Sequence, residues 1–564
     1  MTRLLSSLLL LLLPFISVAQ EKFWVFFTDK NGVDFDPYTF FDQKAIERRL
    51  LHGIDLCDES DFPVNTDYVA AVGELCDSLS YSSRWFNAVA VYGNEGQMEL
   101  IRQLPFVQSV EAMDWYISNV TERRRIDLSD FNTGQVALVK GQVSRMQADK
   151  FTAAKIDGKG IRICVIDAGF AGFTTCEALR HTYNRDYVKD TYDFTRRDKS
   201  VYHGHSHGTM VVSCIAGKVD SIQLGLAPYA EFLLARTEKA FSDKLREEEN
   251  WLAAVEWADK NGAQIINSSL GYTSSRYFRS QMNGKAGLIS RAATIAAHKG
   301  ILVVSSAGNE GDGAWKIVAS PGDADSILTV GGINPWTGLH ATWSSYGPST
   351  DHRLKPNVSA FGHAIVGHGQ GYAEQVGTSF ASPLVAGFAA CVFQMHPDWK
   401  NMKVLSEIES SSDLFPYYDY AHGYGVPQAG YFTDSVSTDT IPTFTIVEKE
   451  GKFSVQIDSS HYSLAEPIQG TYHRGMPGES KYEMESDWKQ HHIPDQELSS
   501  SSSYVYTQVP DYVFYHIENR DGYVKQYFVI SVHQTEVLEF LRSDFTKGEK
   551  LRIWYKGFMK TIEF

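Results

Sequence analysis

The chain has 564 residues, of which 43% are hydrophobic, 21% charged and 13% aromatic, a globular balance that excludes disordered, collagen-like and polytopic membrane classes. Subtracting 68 acidic from 52 basic side chains leaves a formal charge of −16, which argues against a delocalised attraction to nucleic acid or an anionic membrane. At about 150 residues per domain the length allows roughly three or four domains with full-sized cores.

Near its start the chain has Arg3, an apolar run over 4–18 that includes six consecutive leucines, and the small residues Ser17, Val18 and Ala19. This reads as a secretory signal over 1–19, because the run is shorter than the roughly 20 residues of a spanning helix and contains Pro14. The expectation is an exported protein, secreted or periplasmic, with no membrane span. Residues 20–115 read as a small α+β domain, with strands over 23–28, 85–92 and 106–112 and helices over 41–51 and 95–104. Residues 116–149 are a polar connection whose Arg123-Arg124-Arg125 marks an exposed stretch open to proteolytic processing.

From 150 to 432 short β-branched runs (161–166, 232–236, 265–268, 301–305) alternate with helical periodicity (210–217, 250–260, 289–299, 384–394). Such alternation implies a parallel sheet with helices on both faces. Residues 433–442 have a linker composition, and 443–564 alternate as strands, with turn signals at Glu450-Gly451 and over 519–522. That last region reads as a β-rich, sandwich-type domain, and the five serines at 499–503 as a loop without assigned function. The six cysteines (Cys57, Cys76, Cys164, Cys176, Cys214, Cys391) are too sparse for a disulfide scaffold and lack CxxC spacing. Buried thiols and bridges, including a Cys57–Cys76 pair, both stay open.

Four short segments carry chemistry. In Gly377-Thr378-Ser379-Phe380-Ala381-Ser382-Pro383 the serine stands at a helix start, where backbone N–H groups and the positive end of the dipole face an oxygen gaining negative charge. An isolated Gly-Thr-Ser is more often a plain helix cap; the whole heptapeptide is more specific. A serine hydroxyl needs a base, and the base an orienting group. His207-Gly208-Thr209 opens an apolar helical segment, and Asp167 ends the strand at 161–166 with its carboxylate at the sheet's C-terminal edge. Asn309, in Ser306-Ala307-Gly308-Asn309-Glu310-Gly311, follows a strand and can donate a side-chain N–H. A rival is a metal site from the alternating His203, His205 and His207, disfavoured by Gly204 and Gly208 and by the lack of a completing ligand motif.

Together these segments resemble the subtilisin-like serine proteases (subtilases): the order Asp, His, Ser, the HGT and GTSxASP sequences, and a Gly-Asn after a strand. That order is itself the standard illustration for subtilisin. The resemblance continues through Asn267-Ser268-Ser269-Leu270-Gly271, the 343–348 and 354–358 segments and Gly423-Tyr424-Gly425-Val426, covering about half the chain. It implies that Ser379 is the nucleophile, His207 the general base and acid, Asp167 its orienter, and Asn309 with the Ser379 amide the oxyanion hole. It further implies that Ser269, Leu270 and Gly271 meet extended peptide, with Leu270, Gly271, Ala307 and Gly308 lining a primary pocket for a bulky apolar side chain. Departures from the family pattern are Ala168 in place of a Ser or Thr, and Met210 and Phe361. The family's calcium ligands have no clear match, so no metal is assigned, a structural calcium has no assignable site, and no other cofactor is expected.

The N-terminal domain, with Trp85-Phe86-Asn87-Ala88-Val89, looks like a subtilase inhibitory propeptide, which makes the protein's own N-terminus a partner alongside protein or peptide substrates. The reading is an exported serine endopeptidase acting through an acyl-enzyme. Two others remain: an inactive subtilase fold acting as an extracytoplasmic binding protein, and a β-rich module at 443–564 that binds glycan or protein.

Overall fold

The computed structural model describes residues 21–113, 126–128, 133–219, 222–239, 244–274, 276–434, 441–462, 473–475, 511–532 and 537–564. The signal-like segment, Arg123-Arg124-Arg125 and the serine run at 499–503 lie outside the described residues. Two units are separated by their internal contacts: Met1–Phe35 with Glu59–Asp114, and Asp36–Asp58 with Trp115–Phe564.

The first unit is an antiparallel sheet in the order Ser78–Ser83, Ala88–Gly93, Glu21–Phe27, Val107–Ala112. Phe23, Val25 and Phe27 alternate toward one face and share a core with Val89, Val91 and, from the helices Thr66–Gly73 and Glu95–Arg102, Val72, Met98 and Ile101. Asn94 caps the second helix in a reciprocal box with Gln97.

Residues 36–58 lie inside the span read as part of the N-terminal domain, yet they group with the second unit. The helix Gln43–His52 is capped by Asp42 and stops at Gly53 in a left-handed conformation. Arg48 and Arg49, 4% and 0% exposed, both reach the fully buried Asp259, and Arg48 also donates to the carbonyl of Lys299 at 3.0 Å. The two guanidiniums therefore supply positive charge near the C-terminal end of the helix Lys244–Lys260 and just past that of Leu288–His298, where carbonyls lack intrahelical partners.

The second unit is built on a seven-stranded parallel sheet in the order Val358–Phe361, Leu328–Ile333, Leu302–Ser306, Ile265–Ser268, Arg162–Asp167, Glu231–Arg236, Val188–Asp193. Ile163 and Val165 join a core with Val211 and Val212 of the helix His207–Ala216 and Leu384 and Val385 of Thr378–Met395. The alternate residues Cys164 and Ile166 are equally buried and belong to the opposite face, on which Lys244–Lys260 and Leu288–His298 pack. Strand order reverses between Arg162–Asp167 and Ile265–Ser268, which places a crevice beyond the C-terminal ends of those two strands.

The C-terminal region is β-rich. A sheet of Phe444–Lys449, Lys452–Ile457 and Val537–Leu541 faces a five-stranded sheet that includes Tyr512–Glu518, Val524–Ser531 and Lys550–Tyr555. Phe453 and Val455 of one and Val513, Leu551 and Ile553 of the other share a single core, the arrangement of a sandwich. A second apolar seam, Leu414 and Tyr417 against Phe514 and Trp554, holds this region to the parallel-sheet domain. All six cysteines are free thiols, and four are buried. Among the described residues one helix, Thr378–Met395, is long and apolar enough to cross a membrane, and it is the buried helix of this core.

Candidate active site

Asp167 is the last residue of its strand and is fully buried, directly at the crevice. One carboxylate oxygen accepts from the Ala168 amide at 2.8 Å, and both lie 2.9 Å from Nδ1 of His207. His207 is the first residue of its helix, and its amide donates to Nδ1 of His205 at 3.0 Å. Gly208 is required by close approach, since a Cβ there would stand 2.6 Å from the Gly169 carbonyl and 2.7 Å from the Phe170 ring. With Nδ1 turned to the carboxylate, Nε2 is the ring nitrogen of His207 that faces away from Asp167.

Ser379 is the second residue of Thr378–Met395 and 8% exposed. Its amide has no residue four positions back within the helix, so it belongs to the anion-attracting helix start. Gly377, just before, has φ 151° and ψ 152°, a conformation that side chains avoid. Helical periodicity marks 384–394, and the helix itself starts earlier, at Thr378, with Pro383 in its interior. Proline has no N–H to give the carbonyl four residues back, which is that of Ser379. The Ser269 hydroxyl donates to that carbonyl instead, at 2.9 Å, while the Ser379 hydroxyl donates to the Ser269 carbonyl at 3.1 Å. The Asn267 amide donates to Ser269 Oγ at 3.1 Å and its carbonyl oxygen accepts from Ser382 at 2.9 Å, completing a buried polar stitch between strand end and helix. The hydroxyl of Ser379 thus points to Ser269 in this conformation, and the ring of the next residue, Phe380, lies 5.6 Å from the His207 imidazole.

Asn309 is exposed beyond its strand, and its Oδ1 accepts from the Thr378 amide at 2.9 Å and hydroxyl at 3.0 Å. Its Nδ2 is thereby turned outward as a donor, 3.4 Å from where a Gly377 Cβ would be. Thr378 was not singled out from sequence, although it sits inside the heptapeptide; its hydroxyl also accepts from the Gly308 amide at 3.2 Å.

Ser269, Leu270, Ala307 and Gly308 are buried and Gly271 is exposed. Side chains on Gly271 and Gly308 would come within 3.1 and 3.3 Å of one atom, the Cβ of Ala319. The two segments therefore converge on Ala319, a residue that no motif marked. The three alternating histidines do not converge on a metal: His205 Nδ1 takes the His207 amide, His207 faces Asp167, and His203 Nδ1 lies 3.2 Å from Arg236. Asp193, Asp198 and His203 do approach one another, but Arg236 already occupies Asp193 at 2.8 Å, a cation in the place of an ion.

A model described as the subtilase family matches residues 158–426, and one described as the peptidase S8 propeptide domain of Bacteroidota matches 22–127. M-protease of Shouchella clausii (strain KSM-K16) is 28% identical over 271 residues, which cover 48% of this chain and 63% of that protein. Subtilisin Savinase of Lederbergia lenta is also 28% identical over 271 residues, covering 48% of this chain and 90% of that protein. A solved cold adapted subtilisin-like serine proteinase overlaps 48% of this chain and 88% of its own at 21% identity and a TM-score of 0.38. Residues 158–426 of the second unit are thus similar to the subtilase family. The chain carries a subtilase-family (peptidase S8) domain preceded by a propeptide domain of the same family.

Proposed function

We propose that the protein is an exported endopeptidase that hydrolyses peptide bonds through a Ser379 acyl-enzyme. The observation that carries this reading is two preset halves that meet where the Phe380 ring, next to Ser379, lies 5.6 Å from the His207 imidazole. A buried Asp167 holds the His207 ring at 2.9 Å, and Thr378 holds Asn309 so that its amide joins the Ser379 helix start. In the reaction His207 takes the Ser379 proton as the oxygen attacks the peptide carbonyl, and the oxyanion is held by the Ser379 amide and Asn309 Nδ2. His207 then protonates the leaving amine, and water repeats the sequence in reverse to release the acid. Ser269, Leu270 and Gly271 would pair with extended peptide, and the Ala319 floor between Gly271 and Gly308 would receive the side chain preceding the cleaved bond.

The N-terminal unit acts in this reading as an intramolecular inhibitor removed by cleavage within 116–132, and the segment at 1–19 directs export. The test is expression of the full chain with and without Ser379→Ala, followed by N-terminal sequencing and hydrolysis of a peptide library. Cleavage and library hydrolysis are expected only with Ser379 intact; processing of the alanine variant would assign maturation to another protease, and strong selection for Lys or Arg before the cleaved bond would refute the apolar pocket.

A further inference from the structure

Residues 36–58 interrupt the N-terminal unit in sequence but belong to the second unit. Their helix, Gln43–His52, lies at the starts of three strands of the parallel sheet. Lys44 Nζ donates at 2.6 Å to the Gly160 carbonyl, just before Arg162–Asp167. The Arg48 guanidinium donates to the Ala263 carbonyl, just before Ile265–Ser268, and at 3.0 Å to that of Lys299, just before Leu302–Ser306. The crevice with Asp167 lies beyond the opposite ends of these strands. From Arg162 to Asp167 alone the chain advances roughly 16 Å, so no contact made at the strand starts reaches the reacting groups.

The fit is specific in both directions. Lys44 and Arg48, four residues apart and so on one helix face, bring their donors to carbonyls, and Arg48 and Arg49 both meet the fully buried Asp259. Asp42 gives its amide to the Lys260 carbonyl at 2.9 Å and pairs with Arg162 at 3.0 Å. From the other side, the Asn401 amide donates to His52 Nε2 at 3.1 Å, and Lys400 Nζ to the His52 carbonyl at 3.2 Å. The seat is also shaped for the segment: a Cβ on Gly262 would stand 2.7 Å from Lys44 Cβ, and one on Gly300 2.8 Å from the His52 ring. A carboxylate buried between two guanidiniums is costly to strand, so the empty seat is the less favourable state.

We propose that this seat, at the edge of the sheet opposite the crevice, attaches the N-terminal chain to the catalytic domain and keeps residues 36–58 bound without a covalent link once the chain is cut within 116–132. Attachment and active-site inhibition are then separate properties, and the crevice opens without loss of the segment. The inference rests on the proposed cleavage of the chain, which the test below supplies from outside.

The test uses the full chain carrying Ser379→Ala, with the recognition sequence of a sequence-specific protease inserted within 116–125. The cut then needs neither peptidase activity nor natural processing, so failure of the proposed function would leave this result standing. After the cut, gel filtration with mass spectrometry follows whether the N-terminal fragment travels with the rest, and hydrogen exchange follows the amides of 43–52. Co-migration and undiminished protection over 43–52 are expected. Arg48→Lys with Arg49→Lys keeps both charges but removes the guanidinium forks, and should speed release of the fragment at least roughly 10-fold. Lys44→Met, at a half-buried position, should speed it roughly 3-fold and serves if the double variant does not fold. Melting of the uncut variants reports folding. The proposal is overturned if the fragment leaves the cut parent, if the cut removes protection over 43–52, or if the folded variants release the fragment as slowly as the parent.

Discussion

The stitch between Ser269 and Ser379 predicts a rescue. Because Pro383 withholds an N–H from the Ser379 carbonyl, Ser269 Oγ is that carbonyl's donor, at 2.9 Å in a buried setting. Ser269→Ala leaves this carbonyl without a donor and also removes the acceptor of the Asn267 amide, a contact of 3.1 Å. At roughly 1 to 3 kcal/mol for each unsatisfied buried group, with partial relaxation, the expected destabilisation is about 2 to 4 kcal/mol. Pro383→Ala supplies a helical N–H to the same carbonyl and loosens the unfolded chain, so alone it should change stability by less than about 1 kcal/mol. The double variant should recover the carbonyl's share but not that of Asn267, a coupling of about 1 to 2 kcal/mol. Denaturant unfolding of all four combinations, each carrying Ser379→Ala to prevent self-cleavage, measures the cycle. Additivity within about 0.5 kcal/mol would refute the reasoning, because it would mean that Ser269 and Pro383 do not act on one acceptor.

Thr378→Val keeps the shape of the side chain but removes the hydroxyl that donates to Asn309 Oδ1 at 3.0 Å. Hydrolysis of a peptide substrate should lose about tenfold in kcat with little change in KM, whereas a loss confined to KM would place Thr378 outside oxyanion positioning. Lys355 is fully buried against the Ile327 carbonyl, Thr329 and Asn357, and burial is the main cause that pulls its pKa down to about 7. Between about pH 7 and its ordinary value of 10.5 the unfolded chain binds the proton that the folded chain has released, so stability contributed by this group rises with pH in that window. Relative to Lys355→Met, the parent should gain at most about 1.4 kcal/mol per pH unit in denaturant unfolding there; parallel profiles would contradict the neutral lysine. Asp259→Ala strands the buried Arg48 and Arg49 and should cost about 3 to 5 kcal/mol, whereas Lys150→Met breaks a pair with Asp434 that is 41% and 49% exposed and should cost far less. Equal losses in thermal melting would show that burial does not decide between the two.

The core strands of the parallel sheet were legible because β-branched runs such as 265–268 declare themselves by composition, and that strand occupies the residues expected. Asp167 and His207 were placed correctly at a strand end and a helix start, since both positions follow from local pattern. What sequence did not disclose depends on partners far along the chain. The helix holding Ser379 starts five residues before Pro383, and the donor that the proline withholds from the Ser379 carbonyl comes from Ser269, 110 residues away. Arg48 and Arg49 look like the solvated face of an amphipathic helix, and only Asp259, about 210 residues on, shows why they are buried. The strand Ser78–Ser83 is serine-rich and carries little apolar alternation, so nothing local marked it. Ala319 has no distinctive neighbours in sequence; its role appears only where two glycine segments meet.

The central claim, that Ser379 is an activated nucleophile, is tested most directly by fluorophosphonate labelling of the processed protein, with the modified peptide mapped by mass spectrometry. The account predicts a single adduct on Ser379, strongly reduced by His207→Ala and absent in Ser379→Ala. No adduct once the N-terminal unit has been removed, or an adduct on another serine, would contradict it.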